Sequence, residues 1–433
     1  MRLLGENWRI PHAFAALFTI AAAVLTARFI CLRFPPADWR IAAALSAALF
    51  TGLNAMVFIY GPLAQAYGIC LFALLLAFHS AIRAVDGSGA RPAFFSGFFA
   101  GVAAASSLLT AAAAPVLLAW ILFYNRGGKR WTKSAAFFIG AALPFAPVLW
   151  LFAQGPQQTW FNIFQYHAFY RKLYWPETTS HDFEILTSWI NSGQALILGS
   201  LAVFGLIYIV RRSQWPGARK AEFYLAAWLA AGLALEVSGA HPTFSRYFLL
   251  AVPFLSILAA AGLYAAASHW LEQEKQLWAV LLVTALLVLG LGRSLYDRLE
   301  IGDWSSYERL AKTIDQITPP GAPLFADEPI YFLTKRLPPP GLELSYTHKI
   351  DLGARKNALL HIIPESELKR EVQSGAFATA YSCDSDEVDD YGLPGLYQRR
   401  INMEDCSIFW DRKKDALRAP AAGKQLPAEN RGH

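Results

Sequence analysis

The amino-acid sequence predicts an α-helical polytopic membrane protein of about ten spans with a small C-terminal α/β soluble domain. Of its 433 residues, 55% are hydrophobic and 16% are charged, whereas a soluble globular protein carries about 25% charged residues. The charges are also unevenly distributed: residues 1–293 hold 20 Lys+Arg and 10 Asp+Glu, and residues 294–433 hold 18 and 22. The first part therefore has the composition of a membrane domain, and the second that of a domain in water.

The net charge of +6 divides into +10 on the apolar part and −4 on the remainder. Nucleic-acid binding is disfavoured, because the polar domain that would carry a basic binding surface is acidic. The basic residues instead lie between apolar runs, which is the pattern that membrane topology produces.

Ten apolar segments are long enough to be predicted as membrane spans. A bilayer core about 30 Å thick requires about 20 apolar residues in a helix, because an exposed backbone polar group finds no water there. The segment 93–124 is predicted either as a tight hairpin of two short spans or as one broken helix. The predicted spans are 11–29, 40–59, 62–82, 93–108, 111–124, 134–153, 191–210, 222–238, 246–267 and 277–292.

Most of the basic residues between spans fall in four loops, at 28–40, 83–91, 126–133 and 211–220. Because cytoplasmic loops concentrate Lys and Arg, we expect all four on the cytoplasmic side. An even number of crossings must then separate Arg91 from Arg126, which favours the hairpin. A cleaved signal peptide at 11–31 is disfavoured, because its apolar run exceeds the usual length of about 7–15 residues. The expected outer segments are the amino terminus, the 60–62 turn, the 154–190 and 239–245 loops, and the tail from 294.

After residue 293 the sequence changes to short elements separated by turn residues. Apolar positions at helical spacing predict an amphipathic helix at 305–317, and 366–373 is also predicted to be helical. These elements suggest a small extracytoplasmic α/β domain at 294–411, following the membrane domain at 1–293. The polar residues 412–433 are predicted to be disordered. Short strands are predicted at 322–327, 358–363, 376–382 and 406–411.

The four cysteines fall into two groups. Cys31 and Cys70 lie in or near predicted spans and are interpreted as packing residues. Cys383 and Cys406 both lie in the polar tail, where an oxidising compartment would allow a disulfide. The sequence leaves open whether these two are bridged or unpaired.

The long outer loop contains an aromatic segment, 160–184, that also carries His167, Arg171 and Lys172. One interpretation is an interfacial anchor, because aromatic rings favour the headgroup level of a bilayer. The alternative is a clamp for a lipid phosphate, which Arg and Lys bind well. Arg171 and Lys172 are the only Lys or Arg residues in the 154–190 loop. Because Lys and Arg usually lie in cytoplasmic loops, their presence in an outer loop favours a specific anion as their partner.

Other polar residues lie at the outer ends of spans. Arg246, between His241 and Tyr247 near the start of a span, either extends its charge to the interface or holds an anion. Glu236, a carboxylate within a predicted span, is either functional or part of a frayed helix end. A third group serves either in helix packing or in a substrate pocket; it comprises Tyr60, Gln65 and Tyr67. No metal-ligand spacing, phosphate loop, dinucleotide fingerprint or nucleophile elbow occurs. No cofactor is therefore assigned, with a divalent metal left as an open alternative.

Four stretches follow one another in a recognisable order. The first, at 8–30, reads WRIPHAFAALFTIAAAVLTARFI, with an R-x-P-x-A start; the second, at 59–78, reads IYGPLAQAYGICLFALLLAF; the third, at 97–120, reads GFFAGVAAASSLLTAAAAPVLLAW; and the fourth, at 245–263, reads SRYFLLAVPFLSILAAAGL, an R-Y-x5-P span. Together they resemble the polytopic C-type (GT-C) glycosyltransferases, in particular the family 39-like group that includes the protein O-mannosyltransferases and the lipid A aminoarabinose transferase. The resemblance covers about residues 8–330.

This resemblance implies a transfer reaction at the outer membrane face. A sugar would move from a polyprenyl-phosphate donor to a lipid, glycan or protein acceptor, with the C-terminal domain covering the site or selecting the acceptor. The donor phosphate requires cations, for which Arg171, Lys172 and Arg246 are the candidates. The predicted substrate pocket comprises Tyr60, Gln65, Tyr67, His167, His241 and Tyr247. A bacterial inner membrane is the expected location.

The family's acidic residue, which would act as the base, is expected in an outer loop after a first membrane helix. Here only Glu6 precedes the first predicted span. Three explanations are open: Glu6 replaces that residue, the base is missing, or the sequence begins after a further segment. The last is favoured, because the predicted topology begins outside. Alternative functions are a lipid or solute transporter, or a non-catalytic scaffold in an envelope-polysaccharide complex.

Overall fold

Helices make up most of the first 298 residues in the structure, a computed structural model that describes residues 7–87, 89–171, 178–212, 215–298, 304–343 and 350–413. The chain divides into two compact units. Unit 1 comprises residues 1–159 and 167–298, and unit 2 comprises residues 160–166 and 299–433.

The helices up to residue 298 are mostly long and apolar. Seven of them, with α7 and α8 counted as one, could span a membrane by length and composition, and α2 and α6 are shorter apolar helices. The helices are α1 (Arg9–Arg33), α2 (Arg40–Gly52), α3 (Ala55–Tyr60), α4 (Tyr67–Asp86), α5 (Arg91–Ser106), α6 (Ala113–Tyr124), α7 (Arg130–Ala142), α8 (Ala146–Gln154), α9 (Pro156–Trp160), α10 (Thr178–Asn191), α11 (Gly193–Arg211), α12 (Gly217–Ser238), α13 (Val252–Trp270) and α14 (Gln276–Tyr296).

Burial separates the central helix of unit 1 from its outer helices. Most of α13 is buried, because α1, α2, α11, α12 and α14 all pack against it. The outer helices α7, α8 and α14 instead expose large apolar side chains, among them Phe138 at 60%, Trp150 at 63% and Leu289 at 68%. An apolar surface of this extent is suited to lipid rather than water. Unit 1 is therefore a multi-pass membrane domain.

Two facing glycines allow α11 and α13 to pack closely. A Cβ at Gly205 would collide with the carbonyl oxygen of Leu258, and one at Gly262 would collide with that of Leu201. Small residues at such crossings let helix backbones approach and make extensive van der Waals contact inside a membrane. The pair holds α13 at the centre of unit 1.

We expect Gly262→Ala to lower the melting temperature of the purified protein in detergent. The added methyl group must displace backbone of α11, and overpacking of this kind costs about 1–3 kcal/mol. The matched control is Gly199→Ala on α11, where a Cβ meets nothing within 4 Å and alanine favours the helix. Equal melting temperatures for the two variants would contradict the close packing.

The predicted span 40–59 is interrupted in the structure. It divides into α2 and α3, because the side chain of Asn54 accepts hydrogen bonds from the N–H groups of Met56 at 3.1 Å and Val57 at 3.4 Å. An Asn at the N-cap satisfies otherwise unpaired amides and starts a new helix. A separate short helix, α3, therefore begins after Asn54.

The segment 93–124 forms two helices, α5 and α6, with a 3₁₀ turn at Leu108–Thr110 between them. The loop after α6 returns to the loop before α5: the Arg126 N–H donates to the Val85 carbonyl at 3.1 Å, and Lys133 Nζ donates to that of Gly87 at 2.7 Å. The hairpin is thus the arrangement that the structure shows.

The four basic loops lie at one end of unit 1, here called the basic end. Arg28 and Arg83 line one cavity, which joins the first two loops. Contacts between the Arg126 and Val85 backbones join the second and third, and an ion pair of 3.4 Å between Arg33 and Glu222 joins the first and fourth. Loop charge therefore predicts the grouping correctly. The end of unit 1 at which α3 ends and α4 begins is here called the polar end.

Unit 2 contains a four-stranded sheet in the order β1–β2–β4–β3. The pair β1–β2 is parallel, and the pairs β2–β4 and β3–β4 are antiparallel. The strands are β1 (Leu324–Phe325), β2 (Thr379–Ser382), β3 (Tyr397–Met403) and β4 (Cys406–Arg412). The helices are α15 (Trp304–Ile317), α16 (Glu328–Thr334), α17 (Ala354–Leu360), α18 (Glu365–Ser374), α19 (Ser385–Asp390) and α20 (Leu393–Leu396).

Helices cover both faces of this sheet. Adjacent residues of a strand point to opposite faces, so Ile408 packs with Leu310 and Ile330 from α15 and α16. Phe409 packs on the other side with Leu368 from α18. The tail is therefore a small layered domain of helices and sheet.

Five of the six short elements predicted in the tail occur in the structure and one does not, while β3, α16, α19 and α20 have no predicted counterpart. The predicted strand at 358–363 is wrong: α17 covers 354–360, where Asn357 accepts from the Leu352 N–H at 2.9 Å and donates to Asp351 at 2.8 Å. Strand β3 was not predicted, because most of its side chains are exposed and lack an apolar alternation. Of the predicted disordered tail 412–433, Arg412 ends β4, and the residues after 413 lie outside the described residues.

A disulfide joins Cys383 to Cys406. It connects the residue after β2 to the first residue of β4. The bridged alternative is thus the arrangement in the structure, whereas Cys31 and Cys70 are free thiols.

Candidate functional site

Several of the polar residues predicted at the outer ends of spans gather around a 3₁₀ turn, Ser245–Leu250, at the polar end. Tyr247 through Leu250 are buried, and the turn contacts α3, α4, α10, α12 and α13. Pro253 in the first turn of α13 suits the start of a helix, because it lacks the N–H that would be unpaired there. The turn is therefore a fixed platform for Arg246.

Arg246 is a cation whose polar atoms are incompletely satisfied. Its guanidinium lies 4.6 Å from the centroid of the Phe244 ring and close enough to Tyr67 to interact with its hydroxyl electrostatically. Its Nε is buried and has no hydrogen-bond partner within the part of the chain that the structure describes. Among the described residues no carboxylate forms an ion pair with it. A buried donor without a partner is costly, so this position favours an anionic ligand over a role in packing alone.

Arg171 shares the same aromatic ring. Its guanidinium lies 5.6 Å from the Phe244 centroid, and it donates to the Tyr247 hydroxyl at 3.4 Å. Within the described part of the chain Arg171 also lacks a carboxylate partner. Two guanidinium groups on one ring repel each other unless an anion lies between or beside them. Arg171 and Arg246, called the arginine pair below, therefore form a local site of positive charge.

His167 lies one helical turn before Arg171, in a π-helical segment, Phe161–Tyr170. Partial burial, and then the charge of Arg171, lower the pKa of this histidine. A neutral imidazole beside the arginine pair at neutral pH adds no further positive charge. Lys172, the third predicted phosphate ligand, lies outside the described residues.

The three residues predicted near the start of α4 separate in the structure. Tyr67 is buried near Arg246, and the neighbouring Gly68 lets α4 approach the Ala15 carbonyl of α1. Tyr60 instead accepts a hydrogen bond of 2.5 Å from Arg298, a residue that the sequence did not indicate. Gln65 is exposed on the 61–66 loop, and its side chain makes no hydrogen bond to described residues. Tyr67 and Tyr247 therefore join the arginine pair, whereas Gln65 does not.

A buried carboxylate, Asp182, holds His241 in place. One carboxylate oxygen of Asp182 accepts from the Thr243 N–H at 2.6 Å, and the other contacts Nδ1 of His241. The Thr243 hydroxyl in turn donates to the Val237 carbonyl at 2.8 Å. The Asp182 side chain is 8% exposed, whereas that of His241 is 54% exposed. Asp182 therefore fixes the ring from inside and leaves Nε2 of His241 directed away from its partner.

An imidazole oriented in this way can move protons. A carboxylate on Nδ1 keeps the proton there, so that Nε2 carries the free lone pair and accepts a proton. Asp182 was not predicted as a site residue, although it lies in the aromatic segment 160–184. The neighbouring ring of His181 packs on Phe244 at 5.7 Å and contacts the Thr243 carbonyl at 3.2 Å. These contacts place the Asp182–His241 pair beside the platform of the arginine pair.

Glu236, the acid predicted within a span, has a different set of contacts. Its Oε2 accepts from the N–H of Ala112 at 2.9 Å. Ala112 is the N-cap of α6, where backbone amides lack helical partners. Glu236 thus caps α6 from a neighbouring helix and is not part of a frayed end.

The remaining predictions concern the base and a metal. Glu6, the weak candidate for the base, lies outside the described residues. In the described ranges no three His, Cys, Asp or Glu residues are grouped so that they could hold a metal ion.

Solved structures with the same fold identify what the chain is similar to. ArnT from Cupriavidus metallidurans bound to undecaprenyl phosphate matches with a TM-score of 0.62 and 14% identity, over 94% of this chain and 85% of that chain. The apo state of that protein matches with a TM-score of 0.61 and 15% identity, over 93% and 83%. No protein-family model matches the chain, and no curated protein matches its sequence. The resemblance predicted from the four stretches is thus confirmed at the level of the fold: the chain has the fold of the ArnT structures, mostly helical with a small C-terminal sheet region.

Proposed function

We propose that the protein transfers a sugar from a polyprenyl-phosphate donor to a lipid, glycan or protein acceptor. The observation that carries this proposal is the arginine pair, two cations on one aromatic ring with no carboxylate partner among the described residues. The fold is that of a protein crystallised with undecaprenyl phosphate. A phosphate on a long apolar chain suits a cationic site at the end of a helical membrane unit.

The reaction requires a group that stabilises the departing phosphate. The acceptor oxygen or nitrogen bonds to the anomeric carbon as the bond from that carbon to the phosphate oxygen breaks. The electron pair of the broken bond stays on the lipid phosphate, so negative charge develops there. Arg171 and Arg246 stabilise this charge, because they are fixed in place before the reaction.

The acceptor must also lose a proton. Nε2 of His241 takes this proton, and Asp182 keeps the ring in the tautomer that leaves Nε2 unprotonated. His241 is thus the proposed base, and Asp182 is a positioning residue. This pair supplies the role that the sequence left without a candidate other than Glu6.

The proposed location is a bacterial inner membrane, with the basic end in the cytoplasm. Basic loops favour the cytoplasmic side, and this supports an extracytoplasmic location for the arginine pair. That face is also where a lipid-linked donor meets an envelope acceptor.

The experiment that tests the function uses the full-length protein in liposomes with undecaprenyl phosphate carrying radiolabelled aminoarabinose, and lipid A as acceptor. We expect label on lipid A. A panel of other undecaprenyl-phosphate sugars and envelope acceptors tests the wider substrate class. Movement of intact donor between leaflets without product would instead indicate a transporter. Neither product nor movement across the panel would contradict the proposed transfer and favour a scaffold.

A further inference from the structure

A second cationic region lies at the basic end, remote from the arginine pair. A cavity of about 490 Å³ lies between α1, α4 and α5. Arg28, Arg83 and Arg91 line it from these three helices. Its other walls are mainly apolar and include Leu25, Leu76, Phe95 and Phe99.

Three other arginines of the same end have carboxylate partners. Arg33 and Arg219 both pair with Glu222, at 3.4 Å and 3.1 Å, and Arg126 pairs with Asp86 at 3.6 Å. No ion pair to a described carboxylate occurs for the three arginines of the cavity.

The preference of Lys and Arg for cytoplasmic loops accounts for the presence of arginines at this end, but not for the position of three of them around one cavity. Three like charges from three helices on one cavity repel each other unless an anion compensates them. The guanidinium of Arg91 also lies 5.6 Å from the Phe95 ring, over an apolar wall. The cavity therefore combines a cationic mouth with an apolar interior.

We propose that this cavity binds one anionic glycerophospholipid from the leaflet at the basic end. The lipid phosphate lies among the three guanidinium groups, which suit phosphate oxygens as hydrogen-bond donors. An acyl chain follows the wall of Leu25, Leu76 and Phe95. Charge complementarity favours an anionic headgroup, and the apolar wall favours a lipid over a soluble phosphate. The site is independent of the proposed transfer, because it shares no residue with the arginine pair.

Native mass spectrometry of the full-length protein in detergent tests this site. Dioleoyl-phosphatidylglycerol and dioleoyl-phosphatidylcholine, which differ only in headgroup, are titrated separately. We expect tighter binding of phosphatidylglycerol to the unmodified protein. Its Kd should rise about fivefold for each single variant Arg28→Gln, Arg83→Gln or Arg91→Gln, and about a hundredfold for the triple variant.

The matched control removes three charges from the same end outside the cavity, as Arg126→Gln, Arg130→Gln and Arg211→Gln together. This control variant should bind the single tightly held phosphatidylglycerol molecule with the same Kd as the unmodified protein. Since the cavity arginines are exposed and make no hydrogen bonds to described residues, their variants should elute from size exclusion unchanged. Equal affinity for the two lipids, or an unchanged Kd in the triple variant, would overturn the proposal. Displacement of the lipid by millimolar glycerol phosphate would also overturn it, and would assign the cavity to a soluble anion.

Discussion

Arg246→Gln should reduce transfer from a polyprenyl-phosphate sugar by about 10²–10³-fold, the usual cost of removing one fixed group that stabilises developing charge. Glutamine keeps much of the length of the side chain and a hydrogen-bond donor, but it loses the charge. The loss should be present in kcat and not only in KM, because negative charge on the phosphate grows as the bond breaks. Transfer rates at saturating donor measure this.

Arg171→Gln should produce a loss of the same kind, since both guanidinium groups lie on the Phe244 ring. The transfer rate of Arg246→Lys should lie between those of the unmodified protein and Arg246→Gln, because lysine keeps the charge but not the planar fork that binds phosphate. Arg211→Gln, at the basic end of α11, is the control and should retain full transfer. Full transfer in both Arg171→Gln and Arg246→Gln would remove the arginine pair from the mechanism.

The sequence predicts the membrane part of the fold well, because hydrocarbon imposes a strong constraint on it. A span must pair its own backbone N–H and C=O groups in hydrogen bonds and present apolar side chains to lipid. This requirement is visible in single segments of sequence such as 134–153. The grouping of the basic loops follows from a second and separate rule, the concentration of Lys and Arg in the loops on one side of the membrane. The break of 40–59 at Asn54 depends on a local cap, which hydropathy does not report.

The site is less predictable, because its contacts join distant parts of the chain. Arg246 and Tyr247 are adjacent in sequence and were both indicated. Asp182 and His241 are 59 residues apart, and Tyr60 and Arg298 are 238 apart, so neither pair has a local signature. The error at 358–363 has a related cause: an apolar run of six residues suits a strand or a helix, and the hydrogen bonds of Asn357 select the helix.

His241→Gln should reduce transfer by about 10²–10⁴-fold, the usual contribution of a positioned general base. Binding of undecaprenyl phosphate should be unchanged, since the arginine pair is intact. A loss of fold would instead lower binding and transfer together.

Asp182→Asn separates the positioning role from the base itself. Asparagine still accepts the Thr243 N–H through its carbonyl oxygen, but its amide donates to Nδ1 and so moves the ring proton to Nε2. Transfer should then fall by a factor similar to that for His241→Gln, and the double variant should be no worse than either single variant, because the two residues act as one unit. Unaltered transfer in His241→Gln would exclude the base while leaving the phosphate role of the arginine pair intact. Additive losses in the double variant would show that Asp182 acts on something other than the imidazole.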